Sequence, residues 1–449
     1  MAKLVKLWTA LQTSYWFIPS LMAFVAGLLS FALASVDGWL GNAWIDAVPW
    51  VYRVQASGAR DILTTVAGSM IGVAGVTFSI TIAALSYTTT TLGPRLLTNF
   101  MSDKGNQVTL GTFLATFVYC VLLLRTIQAG DDTGASFVPH LSIVFAIVLA
   151  MASLAVLIYF IHHIAESLHV SNVIADIGGD LDRAISAYDQ RSRPPEGTHS
   201  ATALPGDFAN RARAVTAPTS GYIQNVVHKT LMRIACEHDL VIRMSRVPGD
   251  FVVDSQALVE VWPGQALDDP RIGDQIRQAF AIGRSRTQSQ DVLFLVNELV
   301  EIAARALSPG TNDPYTAMSC LDWLSVAVDR MARSRMPSLP YFDDDNVLRV
   351  WAPVFDFKTL TNAIYDQLRC YFATDVNAAV HMLDRLGESG AFIGRADDRA
   401  LLREHAASLE AATRPSVNNP RDTERLDYAA RRAARLLADP VTRDDHVSP

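Results

Sequence analysis

The chain has 449 residues, half of them hydrophobic, and a formal net charge of −7. That length has room for two or three domains, and the acidic balance argues against a nucleic-acid binder. The charge is uneven: the first 161 residues hold seven Lys/Arg and six Asp but no Glu, which leaves 31 basic and 39 acidic residues for the rest. Such a contrast is expected of a membrane part followed by an aqueous part.

Four apolar runs are long enough to cross a bilayer core, which takes about 20 residues of helix. They cover residues 16–36, 62–87, 108–128 and 141–161. The first also carries a cleavage-like Ala32-Leu33-Ala34 after Lys3 and Lys6, but its apolar core is longer than that of a signal peptide, so it reads as a retained span. Lys3 and Lys6 precede the first run, Arg95 and Lys104 follow the second, and only Asp131 and Asp132 follow the third. This balance places both termini in the cytoplasm, although Arg53 and Arg60 in the first loop depart from it. Trp39, Trp44, Trp50 and Tyr52 in that loop suit the aromatic belt of the interface.

The second run, ILTTVAGSMIGVAGVTFSITIAALSY, continues into four threonines at 88–91. Gly68 and Gly72 form a small-xxx-small face that Gly75 extends, and Thr77 and Thr81 stand one turn apart. Close helix packing with self-bonded hydroxyls is one reading. A polar stripe along a water-filled path in an oligomer is the other, with Thr77, Thr81 and Arg95 as pore-lining candidates. Arg125, near the outer end of span three, reads as snorkelling, with a buried or pathway role as the alternative. After the threonines, Leu92, Leu96, Leu97 and Phe100 share a face beside Arg95, as in an amphipathic surface helix.

Span four runs on into a helical neck over 162–190. There His162, Glu166 and His169 share a face at metal-ligand spacing, but one helix offers too few ligands, and a solvated or subunit-facing neck is the simpler reading. A breaker-rich linker, 191–203, leads to a small β-rich domain over 204–265. Its short β-branched runs and Gly-containing turns point to a small barrel or sandwich. TSGYIQNV and PGDFVVDSQALVEV resemble the barrel-sandwich fold of lipoyl and biotinyl domains, yet the Asp254-Ser255 turn has no lysine to carry a prosthetic group. A helical domain follows over 271–437, with Glu298 and Glu301 placed on the wet side of its first long helix, and then a tail at 438–449. Cys120, Cys236, Cys320 and Cys370 are scattered without metal or redox spacing.

Five ordered segments, GPRLLTNF, HHIAESLHVSNVI, TSGYIQNV with PGDFV, GRSRTQSQD and RALSPGTNDPYTA, resemble an uncharacterised family of bacterial predicted membrane proteins, a domain of unknown function. The resemblance covers nearly the whole chain. It implies a multi-pass inner-membrane protein with four spans and a cytoplasmic domain, and it brings no reaction or ligand.

GRSRTQSQD and RALSPGTNDPYTA supply the remaining candidates: Arg284, Arg286, Asp291, Arg305, Asn312 and Asp313. The plain reading is a capped helical hairpin, with Asp313 at an N-cap and Pro314 at the first helical position. The functional reading is a surface where arginines meet Asn312 and Asp313 across a subunit interface, or bind a small anionic ligand. No GxSxG, P-loop, HExxH or dinucleotide fingerprint occurs, so no catalytic, metal or cofactor residue is named. The expectation is an α-helical membrane protein with four transmembrane helices and a cytoplasmic α+β region, in contact with lipid and its own copies. Its expected function is that of a homo-oligomeric channel or transport-like protein. A membrane-anchored scaffold or sensing protein is the alternative, and a membrane-bound enzyme comes third.

Overall fold

A computed structural model describes residues 15–40, 55–91, 93, 103–128, 137–167, 169–191, 204–334, 340–353 and 355–438. The expected surface helix with Arg95, Leu92, Leu96, Leu97 and Phe100 lies outside the described residues, as do Trp44, Trp50, Tyr52, the linker at 192–203 and the tail at 439–449. The chain divides into two compact units at His169/Val170.

The first unit contains α1 (Phe17–Leu40), α2 (Ala56–Thr91), α3 (Lys104–Leu124) and α4 (His140–Ser167), each long and apolar enough to cross a membrane. Helix α3 is the inner one: half of its apolar window is buried, against 22% for each of the others, and α1, α2 and α4 all pack on it. A helix shielded from lipid can carry polar groups, and Asn106, Gln107, Thr109 and Thr116 are all buried here. Gly111 sets the approach of α1, since a Cβ there would lie 2.5 Å from Met22 Sδ. Thr116 and Ser153 share a hydrogen bond of 3.1 Å between α3 and α4.

At the other end of the unit Asp37 closes α1 onto α4. Its carboxylate accepts Leu141 N–H and Ser142 N–H at 2.9 Å each and Ser142 Oγ at 2.6 Å. An acid borrowed from α1 thus satisfies donors that the first turn of α4 leaves without helical partners. Asp37→Ala is expected to cost about 2–3 kcal/mol by stranding those N–H groups. Thermal unfolding of the full chain in detergent checks it, and an unchanged midpoint would refute the capping role.

In the second unit α5 (Val170–Arg191) is a separate helix that buries Ile174, Ile177, Leu181 and Ile185 against its own unit. The neck is therefore split: α4 ends at Ser167, and the following helix belongs to the second unit. After a one-turn helix α6 (Phe208–Arg211) come β1 (Arg213–Thr216), β2 (Gly221–Val226), α7 (His228–Glu237), β3 (Val241–Met244), β4 (Phe251–Val252) and β5 (Ala257–Trp262). Then follow α8 (Pro270–Gln278), β6 (Phe280–Gly283), α9 (Val292–Ala306), α10 (Pro314–Arg333), β7 (Pro340–Phe342) and β8 (Leu348–Trp351). Four helices complete the unit: α11 (Phe357–Phe372), α12 (Val376–Ser389), α13 (Ala396–Thr413) and α14 (Pro420–Ala438).

Among the described residues the strands form two open sheets, ordered β1-β5-β3-β8-β7 and β4-β2-β6, and not a closed barrel. All pairs are antiparallel except β3 with β8, where Ile242 faces Val350. Strands β6, β7 and β8 come from the stretch read as helical to its end. FAIG and LRVW are too short for periodicity to distinguish strand from helix, and only distant partners, Ile223 for Ile282 and Ile242 for Val350, decide it. The apolar core under both sheets is built from Ile223, Leu231, Ile234, Ile242, Val259, Ile276 and Val350.

Aspartate starts the helices. Asp103, Asp269, Asp291, Asp313, Asp356 and Asp375 each accept a backbone N–H in the first turn of α3, α8, α9, α10, α11 and α12. Glu298 differs from expectation: it is 2% exposed, not on a wet face. The reason is tertiary, because α9 is packed by α5, α10 and α11 at once and little of its circumference reaches water. Glu301 is partly exposed and pairs with Arg305.

Candidate functional site

The motif GRSRTQSQD forms the loop between β6 and α9, strapped along β2 by its own side chains. Gln290 accepts Val226 N–H at 2.9 Å and returns Nε2–H to Val226 O at 3.2 Å. Thr287 Oγ1 donates to Gln224 O at 3.3 Å, and Gln224 Nε2 donates to Ser285 O at 2.8 Å. The amide side chains thus extend the ladder of β2 past the end of β6.

The strap ends in a charged pair. Arg286 Nε donates to Asp291 Oδ2 at 2.8 Å, while Oδ1 caps α9 through Phe294 N–H at 3.1 Å. Asp291 is 4% exposed, and burial pushes its carboxyl above the ordinary aspartate value, with Arg286 opposing that shift. The PGD turn closes over it: Gly249 has φ of +97°, and a Cβ there would lie 2.4 Å from Asp291 Oδ2. Glycine is required at that position twice over, by backbone conformation and by space. Gly249 is the residue that sequence reading passed over, although a Pro-Gly-Asp turn signals it.

RALSPGTNDPYTA makes the α9–α10 turn. Ser308 Oγ donates to Arg305 O at 2.6 Å, Asn312 adopts φ of +46°, and Asp313 N–H bonds Ala306 O at 2.7 Å. Asp313 then accepts Thr316 N–H at 3.1 Å and Thr316 Oγ1 at 2.6 Å, with Pro314 in the first turn. So the structure pairs Arg286 with Asp291 and Arg305 with Glu301, and spends Asp313 on its own helix. Arg284, ahead of α9, and Asn312, past its end, are both exposed, and Tyr315 near Asn312 in the chain is 79% exposed.

In the membrane unit Thr77 and Thr81 point inward. They are 2% and 3% exposed, and Thr81 Oγ1 donates to Thr77 O at 2.9 Å. The opposite face of α2 is the exposed one. It carries Thr65, Gly68, Gly72, Gly75 and Ser79 at spacings of three and four, with Ser86 two turns further on, one stripe of a 3.6-residue helix. A Cβ on Gly68, Gly72 or Gly75 would meet nothing within 4 Å. Thr65, Ser69 and Ser79 each donate to the carbonyl four residues back, at 2.7 to 2.9 Å. An open, mostly apolar groove of about 490 Å³ runs beside this stripe, between it and Leu157, Phe160 and Ile161 of α4. Counting from Gly68 at helical spacing reaches Ser79 and Ser86, and Thr77 lines the groove along with Gly68 and Gly72.

His162 and Glu166 stand 3.3 Å apart on the exposed side of α4, and among the described residues no group of three His, Cys, Asp or Glu comes together to hold a metal. The four cysteines are free, Cys120 and Cys320 buried, Cys236 and Cys370 exposed.

Comparison with known proteins agrees with this architecture. The model of a predicted membrane protein family, DUF2254, matches residues 12–388. An uncharacterized protein of Mycobacterium tuberculosis is 28% identical over 441 residues, covering 96% of this chain and 82% of its own length. An uncharacterized protein of Mycobacterium bovis matches to the same extent. No solved structure matches. The chain is a member of the DUF2254 family of predicted membrane proteins.

Proposed function

We propose that this protein is a homo-oligomeric membrane protein of channel or transport type, with the exposed face of α2 at the contact between copies. The observation that carries the reading is the stripe Gly68, Gly72, Gly75 and Ser79, open to its surroundings on a helix long enough to span the bilayer. Small residues let helix backbones approach closely, and without water between lipid-facing helices such packing is what drives association. Hydroxyls along the same face supply the polarity that a hydrated path at the contact would need. In this reading both termini are in the cytoplasm of a bacterial inner membrane and the α+β unit assembles the copies. Exposed Arg284 and Asn312, on either side of α9, are separate candidate contacts, and Arg284 is the one suited to a small anion.

Oxidative cross-linking in native membranes tests the contact. Gly72→Cys is expected to give covalent dimers, whereas Ala74→Cys, on the buried face, is expected to give none. Purified chain in proteoliposomes is then expected to release trapped ions, and Gly72→Leu to reduce that release at least tenfold. Cross-linking without any flux would favour the second reading, a membrane-anchored scaffold or sensing protein. That reading is supported by the bonding of Thr65, Ser69 and Ser79 to their own helix, which leaves them weaker ligands for anything else.

A further inference from the structure

We infer that the end of the four-helix unit around Asp103 holds a small monovalent cation, bound by oxygen atoms of Asn106, Thr109, Tyr15 and Asp103. Asn106 and Thr109 are each 1% exposed, and neither Asn106 Oδ1 and Nδ2 nor Thr109 Oγ1 has a hydrogen-bond partner. They lie three residues apart on the face of α3 that continues into Leu110 and Phe113, which pack with Tyr15, just ahead of α1, and Ala74 of α2. Tyr15 is 7% exposed, and its hydroxyl oxygen is likewise without a hydrogen-bond partner. An unpaired amide buried in a membrane-spanning unit costs as much as a lost hydrogen bond or more, because no solvent compensates it.

The chemistry of the group selects the occupant. Unpartnered oxygens outnumber the one unpartnered NH₂, as hard cations require. The facing charges are few. Asp103 supplies a carboxylate whose Oδ1 accepts Gly105 N–H at 2.8 Å and whose Oδ2 lies 2.6 Å from His163 Nε2 of α4. Lys104 is exposed. Gly105 makes room for the pair, since a Cβ would lie 2.5 Å from His163 Nε2, and Tyr159 stacks on the imidazole at 5.2 Å. With one carboxylate, three neutral oxygens and an imidazole held to one side, the site suits a single positive charge of sodium or potassium size. It lies within one copy and does not depend on a conducting path.

The test is thermal unfolding of the purified full-length chain in detergent, in chloride salts of sodium, potassium and N-methylglucamine at equal ionic strength. The midpoint is expected to rise saturably by several degrees with sodium or potassium over N-methylglucamine, as ligand linkage demands. Asn106→Leu, which removes the orphan amide, is expected to abolish the ion dependence. An equal midpoint in all three salts overturns the site, as does an Asn106→Leu protein that keeps the dependence. Should that variant not fold, Thr109→Val serves in its place, and ²³Na line broadening by wild-type chain above that of empty micelles, displaced by potassium, reads binding without any variant. Absence of that broadening together with a flat salt response rules out the cation. Flux measurements are separate: a protein that passes no ion can still hold one.

Discussion

Replacing Gly178 with alanine is expected to destabilise the second unit by about 2 kcal/mol, although alanine is the better helix former by about 1 kcal/mol. Gly178 lies in the middle of α5, where a Cβ would sit 2.4 to 2.7 Å from Cε3, Cδ2 and Cγ of Trp323 on α10. Cγ is the root of the indole, so the ring cannot turn aside without leaving its rotamer, and α5 must separate from α10 instead. That separation opens the contact that buries Ile174, Ile177 and Leu181. The neighbouring glycine gives the control. A Cβ on Gly179 meets only Arg183 Nη1, at 3.7 Å, so Gly179→Ala is expected to raise stability by about 0.5 kcal/mol through helix propensity alone. Chemical denaturation of the full chain, followed by tryptophan fluorescence, compares the two. Equal shifts of the same sign would dismiss the Trp323 contact as the cause.

Arg286→Leu is expected to cost about 3 kcal/mol at neutral pH, more than Asp291→Asn, which still offers an oxygen to cap α9. The asymmetry comes from burial: Asp291 is 4% exposed and cannot reach water when its partner goes, whereas Arg286, at 23%, can turn outward. Burial already raises the carboxyl of Asp291, against Arg286 and the Phe294 N–H, and the nearby charge of Asp250 raises it further. A carboxyl whose folded pKa lies above its unfolded one stabilises the fold fully below the unfolded value. It loses that contribution as pH rises through the folded value. Without Arg286 the folded value climbs higher, so the gap between variant and wild type is expected to be small near the ordinary aspartate range and to open toward neutrality. Denaturation at a series of pH values measures the gap; a gap independent of pH would mean that the loss is one of packing, not charge.

The membrane helices were legible because their signal is one of bulk composition. Each of the four spans found contains or nearly contains its predicted run, and the extra residues, such as Ala56–Asp61 on α2, are polar turns that hydropathy cannot count. The capped hairpin at Asp313 was legible for a different reason. An aspartate before a proline at a helix start is a local device, complete within four residues. The face of α2 was not legible, since Thr77 and Gly75 are two residues apart yet point to opposite sides, and which side is covered depends on where α3 lies. Glu298 is unreadable for the same reason, on a helix with the pattern of a half-wet face but with α5, α10 and α11 packed on it.

What the amino-acid order determined by itself is the division of the chain into an apolar, charge-poor part and a charge-rich part, with the helix starts and the four spans. Those follow from transfer of side chains out of water and from hydrogen bonds within one turn, both of which are local. Only the tertiary structure decided that FAIG and LRVW are strands, that Asp37 caps a helix it does not belong to, and that Gly249 and Gly178 stand where no other residue fits. Each of these depends on a partner brought close by the fold from elsewhere in the chain, and pairing at a distance leaves no period in the sequence that contains only one of the partners.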